Sequence, residues 1–272
     1  MDIITINGER IHQREQEYYF SYHKKRTGLT LDALHRMGKG KVAEMGGYPW
    51  VMTASLIDDP NFEVCATISA QEVTKWPDDI GVSSQKFTVK TTLGNQAEFT
   101  NYSANLERTL FDIEEKPDIV IACEIIEHVA RAPHVLLLNA NHWLGKGGKL
   151  LVTTPNGAHF NNPFRSKSVR PAYACYLYAR HNGLFNLPQL IDMTELCGFR
   201  IIEAGYWDAY DTKGGQAVYS LLGSIPLPFM KVKFRSTIYV IGEKVKHVEE
   251  LERTPRAYVP DNDWEYIAKS PS

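Results

Sequence analysis

The sequence is poor in cysteine, carries almost no net charge and contains no long apolar run. Its four cysteines, Cys65, Cys123, Cys175 and Cys197, lie far apart and form no C-x-x-C pair. We therefore expect free thiols in a reducing, cytoplasmic environment rather than a disulfide framework or a zinc knuckle. No segment approaches the roughly 18 apolar residues that a membrane-spanning helix needs. The charged N-terminus also lacks the apolar core of a signal peptide, so we expect no membrane association.

The charge balance and the composition limit the kinds of partner and fold. The 272 residues include 30 Lys and Arg against 32 Asp and Glu, which gives a formal net charge of −2. A protein that binds nucleic acid through basic electrostatics needs a positive excess, so a nucleic-acid partner is disfavoured. Hydrophobic residues make up 43% of the chain, which is ordinary for a globular protein and excludes global disorder.

Strands and helices alternate along the middle of the sequence. Asp118–Cys123 and Lys149–Thr154 are apolar runs with the length of buried strands, and Glu124–Leu138 between them has a helical pattern. This repetition predicts right-handed βαβ crossovers, and therefore an α/β fold with a parallel sheet. The predicted division is an N-terminal helical cap at 1–37, a sheet domain at 38–242 with a lid insert at 157–182, and a C-terminal tail at 243–272.

The segment that follows the first predicted strand is rich in glycine. It reads Glu44-Met-Gly46-Gly47-Tyr48-Pro49, and in an open α/β sheet a ligand lies beyond the carboxyl ends of the strands. Glycines at this point allow a sharp turn and a close approach of the backbone to a ligand. The segment lacks the third glycine of a dinucleotide fingerprint, which counts against NAD.

The segment after Cys123 carries three polar groups in an otherwise apolar stretch. Glu124, Glu127 and His128 are spaced at i, i+3 and i+4, so a helix would place them on one face. Two carboxylates and an imidazole that converge in this way suit general base catalysis or the binding of a divalent metal. The alternative is structural, because acidic side chains stabilise a helix N-terminus through the macrodipole.

A third segment, taken together with these two, gives the sequence a resemblance to a known family. The third is Leu144-Gly-Lys-Gly-Gly-Lys-Leu-Leu-Val-Thr-Thr-Pro-Asn156. The three blocks span residues 41–156, and their order and spacing resemble those of the class I S-adenosylmethionine-dependent methyltransferases. The resemblance implies a Rossmann-like, seven-stranded, mostly parallel sheet with helices on both faces.

The resemblance also implies the residues of a cofactor site. The methionine part of S-adenosylmethionine would lie beside the glycine-rich segment, its adenine beside Asn105, and its methyl group beside Cys123 and Glu124. Members of the family usually bind the ribose hydroxyls with an acidic residue at the end of the second strand. This chain has Thr67 there as a weak substitute, with Glu72 as the alternative. The implied cofactor-binding residues are Glu44, Gly46, Gly47, Tyr48, Thr67, Asn105, Cys123 and Glu124.

The Glu-x-x-Glu-His block resembles in particular the metal-binding helix of small-RNA 3′-terminal ribose methyltransferases, and it is similar to the block in ubiquinone-pathway O-methyltransferases. This resemblance implies a divalent metal, either Mg²⁺, Mn²⁺ or Fe²⁺, that would orient and acidify an acceptor hydroxyl. The implied metal ligands are Glu124, Glu127, His128 and a later histidine, either His181 or His159. The predicted catalytic residues are Glu124, His128 and His181, with either of these two histidines as general base if no metal is bound.

Three functions are compatible with these observations. The first is the O-methylation of a small molecule, such as a phenol, a sugar or a natural product, in a biosynthetic pathway. The second keeps the enzyme class and changes the acceptor to an RNA 3′ end, which the net charge of −2 disfavours. The third is a non-catalytic scaffold that binds the cofactor. Tyrosines concentrated in the N-terminal helices and in the insert favour a lid over a small acceptor, so we predict the first function.

Overall fold

The computed structural model of the chain describes residues 5–10, 13–70, 81–107, 110–129, 132–159, 183–209, 221–255 and 257. Within these residues ten strands form one sheet. The strands are β1 (Thr5–Ile6), β2 (Glu9–Arg10), β3 (Gly40–Met45), β4 (Phe62–Ala70), β5 (Ser83–Lys90), β6 (Gln96–Ala104), β7 (Ile119–Cys123), β8 (Lys149–Pro155), β9 (Phe199–Trp207) and β10 (Thr237–Lys244). The principal α-helices are α1 (Gln13–Met37), α2 (Val51–Ile57), α3 (Pro133–Trp143), α4 (Leu187–Leu196) and α5 (Pro228–Phe234). No helix in the described residues combines the length and the hydropathy of a membrane span.

Five parallel strands form the centre of the sheet, in the order β6-β4-β3-β7-β8. β10 and β9 extend it antiparallel at one edge, and β5, β1 and β2 extend it antiparallel at the other. The prediction of a Rossmann-like α/β fold with a mostly parallel sheet is confirmed, although the sheet has ten strands and not seven. The three additional strands at the β5 edge are hard to predict from sequence. β1 and β2 have only two residues each, and β5 is polar and exposed except in its second half.

The pleat of the central strands divides the core into two layers. Along β3, Val42 belongs to the layer under α1 and α2, whereas Ala43 and Met45 belong to the layer under α3 and α4. We call the side covered by α1 and α2 the first face, and the side covered by α3 and α4 the second face. Because side chains alternate along a strand, the residues at the carboxyl ends of β3, β7 and β8 divide between these two faces.

The helix predicted at Glu124–Leu138 is wrong in both its start and its end. The chain instead forms a single 3₁₀ turn at Ile126–His128, and α3 begins at Pro133. Glu124 has a φ of 55°, which is a left-handed conformation that an α-helix does not contain. Proline fits the first turn of a helix but disrupts its interior, so Pro133 begins the second element.

Candidate functional site

The glycine-rich segment after β3 forms a tight turn at the carboxyl edge of the sheet. Gly46 has a φ of 76°, which favours glycine, and its N–H donates to the carbonyl of Ile68 at 2.8 Å. A Cβ on Gly46 would lie 2.7 Å from Cδ1 of Ile125, so a side chain would force this neighbour to move. Gly47 has more room, since a Cβ there would lie 3.5 Å from Cβ of Thr67. The turn therefore presents bare backbone at the edge of β3 and β4.

Glu44 is a buried carboxyl group on the first face, one residue before the end of β3. It is 6% exposed, and the hydroxyl of Thr53 on α2 donates to it. Burial raises the pKa of Glu44 to about 8, and the hydrogen bond from Thr53 opposes this shift. The carboxyl group is therefore largely protonated at neutral pH, and a cationic group placed beside it would favour its ionisation.

Helix α1 lies over the same edge and contributes a buried arginine. Arg26 and Thr30 lie on the helix face that also buries Ala33 and Leu34 in the core. Arg26 is 7% exposed, and its Nη1 lies 3.3 Å from Oε2 of Glu124. Sequence reasoning missed Arg26, for which the available signal is a charged residue on the apolar stripe of a helix. The pocket between α1 and the glycine-rich turn is lined by Arg26, Thr27, Thr30, Glu44, Gly46, Gly47, Tyr48, Pro49, Val51, Met52 and Cys123.

Glu124 follows β7, and its side chain is oriented by two elements of the fold. Its N–H donates to the carbonyl of Thr153 at 2.9 Å, and its Oε1 accepts from the Thr153 hydroxyl at 3.0 Å. The second oxygen, Oε2, is the one that faces Arg26. A carboxylate held by α1 and β8 at the edge of the pocket is a candidate for orienting or deprotonating an acceptor.

Glu127 and His128 do not join Glu124 on one helix face, so this prediction is wrong. Glu127 is 1% exposed, and its Oε2 accepts from the hydroxyl of Thr154 at 2.9 Å. Thr154 and Thr153 are consecutive in β8 and point to opposite faces, so the two carboxyl groups bind opposite faces of that strand. Burial, and then the charge of Glu124, raises the pKa of Glu127 well above its usual range. The side chain of His128 is 43% exposed, with its Nε2 3.9 Å from Oε1 of Glu127.

The described residues give no support to the predicted metal site. No group of three or more His, Cys, Asp or Glu side chains in the described part of the chain is arranged to hold a metal ion. The split of Glu124 and Glu127 across β8 is the physical reason, because the two carboxylates cannot serve as ligands from one helix face. His159 lies in a turn after β8, where its N–H donates to the carbonyl of Asn156. His181 lies outside the described residues.

Cys123 ends β7 and lines the pocket. Burial raises its pKa to about 12, so its sulfur is a neutral thiol at physiological pH. The side chain therefore shapes the pocket and does not supply a nucleophile. Cys65 and Cys197 are likewise free and buried, and Cys175 lies outside the described residues.

The other predicted cofactor residues follow the neighbouring strands. Thr67 on β4 is buried, and its hydroxyl donates to Oδ1 of Asn101 on β6 at 2.9 Å. Ser69 donates to the same oxygen at 3.0 Å, so Asn101 receives two hydroxyl donors from β4. Asn105 closes a turn after β6, where its side chain accepts from a backbone N–H two residues later at 3.0 Å. The alternative ribose ligand, Glu72, lies outside the described residues.

An aromatic pair forms the outer wall of the glycine-rich turn. Tyr48 is 52% exposed, and its ring meets that of Trp50 edge to face at a centroid distance of 5.0 Å. Trp50 has a φ of 58° and precedes the first residue of α2, and its ring also contacts Phe87 of β5. The Nε1 atom of Trp50 is buried and finds no hydrogen-bond acceptor within the described residues. Sequence reasoning missed Trp50 because nothing in its neighbourhood in sequence indicates an unpaired donor.

Comparison with known proteins places this site in a family. A family model described as a methyltransferase domain matches residues 22–204, which is more than half of the chain. The match begins within α1 and ends within β9, so it includes the pocket, Arg26 and Glu124. No curated protein matches the sequence.

Solved structures with a similar fold come from several organisms. A chain of the complex between the Haloferax volcanii Trm112 methyltransferase activator and a methyltransferase has a TM-score of 0.54 and 12% identity, over 86% of this chain and 95% of that chain. A SAM-dependent methyltransferase from Thermotoga maritima has a TM-score of 0.51 and 15% identity, over 86% and 96%. Phosphoethanolamine N-methyltransferase 2 from Haemonchus contortus, solved with S-adenosylhomocysteine, has a TM-score of 0.51 and 14% identity, over 80% and 53%. At these identities the similarity shows the fold alone.

Proposed function

Because the chain belongs to the methyltransferase domain family and has the fold of SAM-dependent methyltransferases, we propose that it transfers a methyl group from S-adenosylmethionine to a hydroxyl group of a small molecule. One observation carries the proposal. The glycine-rich turn after β3, the buried Glu44 and the end of β7 border a single pocket at the carboxyl edge of the sheet, under α1. An α/β sheet binds its ligand at this edge.

The residues at this edge of the sheet suit the donor in the access that they give to backbone and in their charge. The bare backbone of Gly46 and Gly47 allows close approach, and the buried N–H of Trp50 is a donor that lacks an acceptor among the described residues. Bound S-adenosylmethionine supplies a methyl group already activated by a sulfonium. Glu44, Gly46, Gly47 and Cys123 would hold it. Its net positive charge favours the ionised form of Glu44, so donor binding releases a proton from this carboxyl group.

The acceptor side of the pocket has one well-oriented base. Glu124 is held by Arg26 and Thr153, and in this proposal its carboxylate takes the proton of the acceptor hydroxyl. His128, whose side chain is partly exposed, is the second candidate base, and His181 keeps its predicted role outside the described residues. A positioned base and an aligned acceptor are sufficient, since the sulfonium is a strong methyl donor.

The alternative functions have less support. An RNA acceptor would require a basic surface or the predicted metal ligands, whereas the net charge is −2 and the described residues hold no metal-ligating cluster. A scaffold has no chemical need for an oriented carboxylate such as Glu124 at the end of β7. Turnover distinguishes these three functions directly.

Isothermal titration tests the donor half of the proposal. We expect S-adenosylmethionine to bind near pH 7 with release of a proton, which appears as a binding enthalpy that depends on the ionisation enthalpy of the buffer. Glu44→Gln should bind about tenfold more weakly and release no proton at this site. Glu203→Gln, on β9 and paired with Arg36, is the matched control and should behave as wild type. Absence of binding to both S-adenosylmethionine and S-adenosylhomocysteine would refute the proposed function.

Labelled-methyl transfer tests the acceptor half. Phenols, catechols, sugars, small amines and short RNAs are offered with the labelled donor, and we expect product from a hydroxyl-bearing small molecule. Product from amines alone would refute the choice of oxygen, and product from RNA alone would support the RNA alternative. Donor binding without turnover on any acceptor would favour the scaffold.

A further inference from the structure

The indole N–H of Trp50 is a buried donor that finds no acceptor within the described residues. Buried tryptophan N–H groups usually have a partner, because burying a donor without an acceptor costs free energy. Trp143 shows the ordinary case in the same protein, since its Nε1 donates to the carbonyl of Phe111 at 2.6 Å. Because the described residues supply no acceptor for the Nε1 of Trp50, a bound ligand is a candidate for that role.

The donor lies at the glycine-rich turn of the proposed cofactor site. A Cβ on Gly47 would be 3.5 Å from Cδ1 of Trp50, and Cδ1 is the carbon bonded to Nε1. The same point is 3.5 Å from Cβ of Thr67 and 3.6 Å from Cδ of Glu44. The edge of the indole that carries Cδ1 thus lies beside the turn after β3, close to Thr67 of β4.

The aromatic contacts of Trp50 hold the indole in this position. Its ring packs edge to face against Tyr48 at 5.0 Å and against Phe87 at 5.9 Å, measured between ring centroids. Its backbone is fixed as well, because its N–H donates to the carbonyl of Gly47 and its own carbonyl accepts from Ala54 in α2. The indole itself is therefore fixed in place, and a ligand oxygen reaches its buried Nε1 when neighbouring atoms of the turn move aside.

We propose that the Trp50 N–H donates to a ribose hydroxyl oxygen of the bound nucleoside cofactor, an inference that rests on the proposed function. In nucleotide-binding α/β sheets the ribose lies between the glycine-rich turn and the end of the second strand, which is where this donor lies. The usual acidic ligand would accept a hydrogen bond from the ribose. Here Thr67 and Ser69 both donate to Asn101, so their hydroxyl protons are already engaged. With Trp50 the direction of the hydrogen bond is reversed, because the protein is the donor and the ribose oxygen is the acceptor.

The test removes the proposed hydrogen bond in two ways, by changing Trp50 in the protein and by deleting a ribose hydroxyl from the ligand. S-adenosylhomocysteine and its 2′-deoxy and 3′-deoxy analogues are titrated into wild type, Trp50→Phe and Trp207→Phe. In wild type we expect one of the two deoxy analogues to bind about tenfold more weakly than the parent. In Trp50→Phe the parent should bind about tenfold more weakly and the discrimination should disappear, because both changes remove one bond. Trp207→Phe removes an indole stacked on Tyr239 and should keep the wild-type ratio.

A second readout observes Trp50 in the wild-type chain, so the result does not depend on the folding of a variant. The indole proton resonance of Trp50 should move downfield with S-adenosylhomocysteine and stay in place with the deoxy analogue that loses affinity. Equal binding of all three ligands by wild type, or an unchanged ratio in a folded Trp50→Phe, would overturn the ribose assignment and leave the proposed function intact. Failure of wild type to bind both S-adenosylhomocysteine and S-adenosylmethionine would instead refute both proposals.

Discussion

The two faces of the sheet are built from different chemistry although they share the same strands. The second face is mainly apolar, with Leu136 and Leu137 of α3 and Met193 of α4 completely buried, and its buried acid at the carboxyl end of β8 is Glu127. The first face has an apolar layer as well, but toward the carboxyl ends of the strands it contains Arg26, Glu44 and other polar groups. Burying ionisable groups costs free energy unless they are paired or neutral. The first face therefore carries the buried ion pair and the pocket of the proposed site, whereas the second face consists mostly of apolar packing.

The carboxyl end of β8 shows this difference within two residues. The side chain of Thr153 lies on the first face and binds Glu124, which is paired with Arg26. Thr154 faces the second face and binds Glu127, whose pKa is raised because burial and the charge of Glu124 both disfavour its ionised form. A protein can accommodate a buried acid in two ways, and both occur here. Glu124 is paired with a cation, whereas burial favours the protonated form of Glu127.

The largest effect should come from breaking the ion pair of the first face. Arg26→Met leaves Glu124 buried without its guanidinium, and we expect the free energy of unfolding to fall by about 3–5 kcal/mol at neutral pH. Lys25→Met is the matched control on the same helix, since Lys25 is 36% exposed and pairs with Asp208 at 3.4 Å. The control should cost less than about 1 kcal/mol. Urea unfolding measures both, and equal losses would contradict the distinction between the two pairs.

A cavity in the second face should have a similar or smaller effect and no electrostatic signature. Leu137→Ala removes a completely buried side chain of α3, and we expect a loss of about 2–4 kcal/mol that does not change between pH 6 and about pH 8. Leu93→Ala, at a position that is 70% exposed, should change stability by less than about 0.5 kcal/mol. A strong pH dependence of the Leu137→Ala effect would show that this position is coupled to an ionisable group and that the loss is not a cavity effect alone.

Glu44 should give the first face a pH-dependent contribution to the free energy of unfolding. Its pKa in the folded chain, about 8, lies above its usual value of 4.5, so the folded state holds a proton that the unfolded state has lost between these values. The stability that depends on Glu44 is therefore full below pH 4.5 and falls as pH rises toward 8, with a slope of about 1.4 kcal/mol per pH unit. Glu44→Gln imitates the neutral form and removes this slope.

The measurement is urea unfolding at several pH values, with wild type and Glu44→Gln compared at each. The difference between the two should grow with pH in favour of the variant, and Glu127 contributes equally to both, so it cancels. Glu203→Gln serves again as control, because a half-exposed carboxylate paired with Arg36 should not gain stability at high pH. A constant difference between wild type and Glu44→Gln across this range would show that Glu44 is ionised in the folded chain.

The sequence was sufficient to predict the sheet but not the arrangement of side chains at its edge. Asp118–Cys123 and Lys149–Thr154 are apolar runs that burial on both sides of a parallel sheet requires, and they are β7 and β8 with bounds shifted by about a residue. The turn at Gly46 was also readable, because only a few residue types adopt its conformation. These features depend on local pattern, which a single sequence contains.

The contacts of the site depend on residues that are distant in sequence. Arg26 and Glu124 are separated by 98 positions along the chain, and no periodicity relates them. Glu127 and His128 were assigned to one helix face with Glu124 because the spacing i, i+3 and i+4 assumes a helix. The positive φ of Glu124 breaks that assumption, and Pro133 was the only local signal that a new element begins. Spacing predicts a shared face only when the secondary structure is right.

Removal of divalent metal should have the smallest effect of all. In the described residues Glu124 and Glu127 bind opposite faces of β8, so we expect EDTA, Mg²⁺ and Mn²⁺ to change the melting temperature by less than about 1 °C. The same additions should leave the affinity for S-adenosylhomocysteine unchanged. A stabilisation by Mn²⁺ that disappears in both Glu127→Gln and His128→Ala would contradict this expectation. It would mean that Glu127 and His128 bind the metal. The carboxyl groups of Glu124 and Glu127 would then have to converge beyond the end of β8, and their assignment to separate faces of that strand would have to be abandoned.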